Sequence, residues 1–310
     1  MIIDAHTHIF PVINGYGPKG RTLSLTYGRV DQGDGIPEQV MPPLCEVTKH
    51  TGEMLLESMD WAGVDRAVLL QCPCYGDWSD YVLKICNMYP HRFIASAFFD
   101  PWSDHARDYY DSRIRPFQWR IVKLECSESS GLCGVYSGIK LYDDIRWVYD
   151  ALESEDRIVV FDLGQPGTTS YQTEQIERLS IEHPSLKIVI CHMGQLSYKV
   201  KTDKILMQEW YKQLKLGLRD NIWFDYSALP FHVPQEEYPF PSATRYLKLA
   251  VDIIGAEKLM WGTDVPWLLG YATYKQFVQL AKNQVEDLST KQQEMLLGKT
   301  AYRLYWGGKE

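Results

Sequence analysis

A chain of 310 residues, 45% hydrophobic and 23% charged, has enough apolar material for one large core, and no stretch approaches the ~20 apolar residues that a bilayer span needs. A formal net charge of −8 argues against nucleic acid and anionic membranes as partners. Seven cysteines, with Cys72-Pro73-Cys74 too tight for an ordinary bridge, read as reduced thiols. With no signal-peptide pattern at the start, the expectation is a cytoplasmic protein that acts on a small molecule.

The first element is a short apolar strand, Ile2-Ile3-Asp4-Ala5-His6-Thr7-His8. Residues i and i+2 of a strand share a face, so His6 and His8 would aim at one point, an arrangement suited to Zn2+ or Mn2+. Residues 10 to 50, rich in Gly and Pro, predict an irregular excursion over the mouth of the fold. A helix over 54–62 leads to a second strand at 65–71, then a helix over 77–89 and a third strand at 92–98. Residues 103 to 134 read as a long connection, and 138–141, Gly-Ile-Lys-Leu, as the fourth strand. Strands five to eight are expected at Ile158–Asp162, 186–192, Ile222–Tyr226 and 259–264. Eight strands alternating with helices predict parallel pairing with right-handed crossovers, a single-domain (β/α)8 TIM barrel with loop insertions over its mouth. An open doubly wound sheet ranks behind it, because no Gly-rich phosphate fingerprint follows the first strand.

A parallel barrel gathers the C-terminal ends of its strands around one mouth. Two later strands also end in residues able to hold a metal or move a proton: Ile188-Val189-Ile190-Cys191-His192-Met193-Gly194 and Leu259-Met260-Trp261-Gly262-Thr263-Asp264-Val265-Pro266. With the Asp4-Ala5-His6-Thr7-His8 start and the closing Thr300-Ala301-Tyr302-Arg303-Leu304-Tyr305, these motifs resemble the amidohydrolase superfamily. The resemblance is greatest to the branch of aminocarboxymuconate-semialdehyde decarboxylase and related aromatic-acid decarboxylases and lactone hydrolases. It spans the chain, is specific for superfamily and weak for substrate.

The resemblance implies one divalent ion, zinc first and manganese second. His6 and His8 match the metal ligands of strand one. Asp264 matches the strand-eight aspartate that binds metal and handles a proton, and His192 the strand-six histidine that polarises or protonates substrate. At the end of strand five, where relatives place a histidine, this chain has Asp162. Asp162 is expected as a fourth ligand, with orientation of His192 as the alternative. Lys140, on the expected fourth strand, and the mouth residues Trp102, Trp267 and His232 are expected to bind substrate. Lys140 can also be an internal pairing lysine, and Asp264 a helix cap. His50, His91, His105 and His183 are expected to be solvated.

These assignments imply a hydrolase of a small cyclic or aromatic carboxylate-type substrate (lactone, ester or amide), with water activated by the ion as nucleophile. The same residues would serve a non-oxidative decarboxylase of an aromatic or muconate-like acid. A catalytically idle barrel that only binds a ligand is a third reading. Relatives suggest a homodimer, although no outer helix is apolar enough to demand one.

Overall fold

The computed structural model describes residues 1–308. Strand β1, Ile3–Thr7, is followed by a four-stranded antiparallel sheet of β2 (Asn14–Gly17), β3 (Gly20–Ser24), β4 (Arg29–Asp31) and β5 (Pro37–Gln39). Then come β6 (Arg66–Leu69), β7 (Phe93–Ala97), β8 (Ile121–Glu125), β9 (Ile158–Asp162), β10 (Lys187–Ile190), β11 (Ile222–Tyr226) and β12 (Leu259–Trp261). β1 and β6 to β12 form one eight-stranded sheet in chain order, every pairing parallel. The ring closes just beyond β12, where the Asp264 N–H donates to His6 O and the His8 N–H to Val265 O, both at 2.8 Å. This is a (β/α)8 barrel.

Alternation along the strands sorts the core into two layers. Ile3, Val68, Ile121, Ile158, Val189 and Met260 point inward, and Ala301, Leu304 and Tyr305 of the last helix, Thr300–Trp306, join them as a plug. Leu69, Val122, Leu124, Phe161, Ile190 and Phe224 face outward and take the apolar stripes of the helices. The first of these helices, Gly52–Ala62, starts where Thr51 accepts from the Met54 N–H. It stops at Gly63, whose φ of 75° is the left-handed cap that glycine adopts at least cost.

The fourth strand is not at 138–141. It is β8, inside the segment expected as a connection, and residues 138–141 form a turn region without a strand. On β8 the inward positions after Ile121 are Lys123 and Glu125, so charge replaces the apolar half of the pattern. The excursion between β1 and the first helix is also more ordered than expected, since it contains β2 to β5. This flap is tied down where the Tyr16 and Tyr136 hydroxyls both donate to Asp100 Oδ2, at 2.6 and 2.8 Å.

Candidate active site

Strict alternation would turn His6 away from the inward-facing Ile3 and Ala5. The register of β1 against β6 slips, however: Asp4 pairs with Ala67 and Thr7 with Leu69, so three steps on β1 oppose two on β6. Such a bulge re-aims the residues that follow, and both His6 and His8 enter the mouth, their rings 5.0 Å apart. His192 arrives from the end of β10 with φ of 56°, and Asp264 from beyond β12 with φ of 64°. Left-handed backbone at non-glycine residues is strained and is retained where the surroundings impose it.

Hydrogen-bond partners fix the state of each ring. His6 Nδ1 is 3.0 Å from Asp225 Oδ2, and a carboxylate only accepts, so Nδ1 carries the proton. The other nitrogen, Nε2, is then a lone pair; it is buried, has no hydrogen-bond partner among the described residues and lies 3.6 Å from Asp264 Oδ1. His8 Nδ1 donates to the Leu70 carbonyl at 2.7 Å, which leaves its Nε2 facing the same Asp264 Oδ1 at 2.9 Å. A ring nitrogen and a carboxylate oxygen at that distance need a proton or a cation between them. Burial, with His192 adding to it and Asp225 and Asp264 only partly offsetting it, pushes His6 down to about 4, so its ring is neutral at neutral pH. Burial alone would raise Asp264, but His8, His192 and His6 outweigh it and hold the carboxyl below the usual range.

His192 is in the opposite state. Ser227 donates its hydroxyl proton to Asp225 Oδ1, so its oxygen accepts from His192 Nδ1 at 2.8 Å. His192 Nε2 meets Asp162 Oδ2 at 3.0 Å and must carry a proton as well. Burial by itself would lower this ring, yet Asp162, helped by Asp264 and Asp225, raises it to about 9. Asp162 would likewise be raised by burial, but His192 and Lys123 force it far down, and the Gly164 N–H and Gln195 Nε2 donate to its Oδ1 at 3.0 and 3.2 Å. His192 and Asp162 form an ion pair.

A nitrogen each of His6 and His192 and a carboxylate oxygen of Asp264 lie within 4.8 Å of one another, and His8 joins at Asp264; His192, protonated on both nitrogens, has no lone pair to give. The orphaned His6 lone pair, the His8 ring nitrogen and the Asp264 carboxylate are a donor set that suits a borderline divalent ion. His6 Nδ1–H···Asp225 is the outer support such a ligand needs. Asp162 is reached through His192 and is not in that group.

The amidohydrolase family model matches residues 3–306. The chain belongs to the amidohydrolase family. Among solved structures, it is similar to an amidohydrolase from Burkholderia multivorans with zinc bound: 16% identity, TM-score 0.70, 99% of each chain covered. A protein from Acinetobacter baumannii, described as a probable 2-pyrone-4,6-dicarboxylic acid hydrolase and holding citric acid, gives 18% identity and TM-score 0.70. That match covers 98% of this chain and 99% of the other. Amidohydrolase 2 from Bifidobacterium longum subsp. infantis gives 16%, 0.62 and 98% of both chains. At these identities the likeness shows the fold alone. No curated protein matches the chain by sequence.

The cavity of this amidohydrolase, about 520 Å³, is lined by His8, His192, Asp162 and Asp264, and also by Trp267 and His232. Two expected substrate contacts are displaced. Lys140 is exposed and off the barrel, its N–H bonded to Asp144, because strand four lies elsewhere. Trp102, whose N–H donates to Asp100 Oδ1 in the turn after β7, packs on the outer core layer. His50 and His183, expected in solvent, are buried: His50 donates to the His8 carbonyl at 2.7 Å, and His183 pairs with Glu153.

The strand-four lysine in the cavity is Lys123, with Nζ 2.8 Å from Glu125 Oε2. Burial would lower it, but Glu125 above all keeps it well above its usual range. Burial and Asp162 push Glu125 up, against Lys123 and Ser127. Asp225 was legible by the signal that marked Asp162, a charge in an apolar strand, whereas Lys123 and Glu125 were not, because their strand read as a connection. Among the described residues no helix is long and apolar enough to cross a membrane, and all seven cysteines are free.

Proposed function

We propose that this amidohydrolase is a divalent-metal hydrolase of a small cyclic ester, lactone or amide. The observation that carries the reading is the meeting of His6 Nε2 and His8 Nε2 at Asp264 Oδ1, the first of them a buried, unpartnered lone pair among the described residues. These three residues would hold the ion, with Asp225 orienting His6. When bound there, a divalent ion polarises an acyl oxygen and makes water a stronger nucleophile. Asp264 accepts the proton of the attacking water and passes it to the leaving group, while His192, whose two N–H groups are held by Ser227 and Asp162, stabilises by its positive charge the oxygen that gains charge. Asp162 keeps His192 charged and aimed. In this reading Asp162 is not a ligand, the alternative left open by the sequence.

Kinship with the aminocarboxymuconate-semialdehyde decarboxylase branch is proposed from the strand-end motifs alone. Decarboxylation would use the same ligands and the same acid. The preference for hydrolysis rests on His192–Asp162, which holds a positive charge beside the group where an oxyanion would develop. Purified protein should contain about one zinc or manganese per chain and hydrolyse simple lactones, with acid release followed by a pH indicator. Carbon dioxide release from hydroxybenzoates without lactone turnover would reverse the assignment. A metal-free protein that gains no activity with added Zn2+ or Mn2+ would leave the ligand-binding barrel.

A further inference from the structure

Every charged side chain on the cavity wall is already committed. Lys123 is held by Glu125 at 2.8 Å, His192 by Asp162 at 3.0 Å, and Asp264 faces His8 and His6. Among the described residues Lys123 is the sole lysine or arginine lining the cavity, and it is buried behind that pairing. A substrate carboxylate lying away from the metal group would find no uncommitted cation on this wall, and wherever it is desolvated that absence weakens its binding. The wall offers instead neutral donors and acceptors, Ser130, Gln165 and Ser197, beside the aromatic faces of Tyr75, Phe231 and Trp267. That combination grips an uncharged ring bearing polar groups.

His232 supplies a second, independent observation. It ends the short helix Leu229–His232 after β11, lines the cavity and is 2% exposed. Among the described residues neither ring nitrogen has a hydrogen-bond partner of normal geometry, although the ring faces the Leu196 backbone. Burial, with His192 adding to it, pushes the ring down to about 3, so it is neutral and offers one N–H and one lone pair. Buried polar atoms left unpaired on both sides of a ring are costly, and in a binding cavity a ligand is the natural partner.

We propose that the cavity selects an uncharged cyclic ester or amide bearing hydroxyl or carbonyl groups, that His232 positions it by hydrogen bonding to one of those groups, and that ring dicarboxylates are excluded. The proposal rests on the hydrolase reading for its scissile bond but not for its charge selection.

The test is calorimetric binding to metal-loaded protein with two probes that have no bond to cleave: dihydroxycyclohexanone, uncharged, and isophthalate, a ring dicarboxylate. The uncharged ring should bind at least ~10-fold tighter, and His232→Leu should weaken it by about 10-fold, the loss of one buried hydrogen bond. His232→Gln, which keeps a donor and an acceptor, should stay within about 3-fold of the parent, with metal content unchanged in both variants. Equal or tighter binding of isophthalate, no measurable binding of the uncharged ring, or unchanged affinity in His232→Leu overturns the proposal. The probe comparison on the unmutated protein decides the charge selection even if His232→Leu does not fold. Discrimination between the probes without any lactone turnover would support the proposal and count against the hydrolase reading alone.

Discussion

Asp264 and Asp225 are both buried carboxylates beside His6, yet they face different nitrogens and should fail differently. Asp264 points to the lone-pair side, where water would be deprotonated, so Asp264→Asn should keep much of the metal and lose about 10²- to 10⁴-fold in turnover. Asp225 holds the Nδ1 proton, so Asp225→Asn should weaken metal affinity by about 10- to 100-fold while turnover per bound metal falls less. Metal titration alongside steady-state kinetics separates the two, and near-parental turnover in Asp264→Asn would remove its assigned role. His192 gives a pH signature in protein stripped of metal. Its pKa rises from 6.5 to about 9 on folding, so its stabilisation is complete below about 6.5 and is lost as the pH rises through about 9. His6, lowered to about 4, acts in the opposite sense, and its contribution is lost as the pH falls from 6.5 toward 4. Melting temperatures of the stripped protein should therefore decline on both sides, and His192→Gln should flatten the alkaline side. An unchanged alkaline slope in that variant would show that the Asp162 pairing does not set it.

At the scale of elements, one glycine decides whether the first and last strands can bring their residues together. A Cβ built at Gly262 would lie 2.8 Å from His6 Cβ, 3.0 Å from His6 N and 3.2 Å from Ser227 Cβ. Gly262→Ala must therefore push β1 or β11 aside, moving His6 and the serine that supports His192. The expected result is a stability loss of about 1–3 kcal/mol from overpacking together with a loss of metal affinity of at least ~10-fold. Parental metal affinity in a folded Gly262→Ala protein would mean that the site tolerates this shift. Strand ends were the part of the site most legible in the sequence. His6, His8, His192, Asp162 and Asp264 each follow an apolar run, and the structure brings them to one mouth. Strand four was missed because Lys123 and Glu125 occupy inward positions where apolar residues would announce a strand. The run at 138–141 carried the pattern without the pairing. The bulge on β1 left no trace in the sequence, and without it simple i, i+2 alternation gives the right answer for His6 and His8 relative to each other but not relative to Ile3 and Ala5.

Over the whole molecule, the place where the barrel closes is also the place where the ion would sit. β8 and β9 pair over five registered positions, whereas the seam between the ends of the chain has one isolated bridge, Thr7 to Val265, with two backbone hydrogen bonds. Side chains reinforce it: Asp4 accepts from the Thr263 N–H and hydroxyl at 2.9 and 2.7 Å and from Tyr274 at 3.0 Å. His6 and His8 belong to one side of this seam and Asp264 to the other, so an ion held by all three would clamp the first strand to the last. Ligand binding to the folded state alone stabilises it by RT ln(1 + [L]/Kd), about 2.7 kcal/mol at a hundredfold excess over Kd. Removing metal with a chelator should therefore lower the unfolding midpoint, and restoring zinc or manganese should recover it. The loss should not be uniform. Amide exchange at His8 and Asp264, whose N–H groups make the closing bonds, should accelerate more than at β9 and β10, which are paired on both edges far from the seam. Equal acceleration around the ring would place the ion's effect elsewhere. No change at all in midpoint or exchange would argue that the three residues hold no ion, since a clamp across the weakest join of a closed barrel cannot be removed silently.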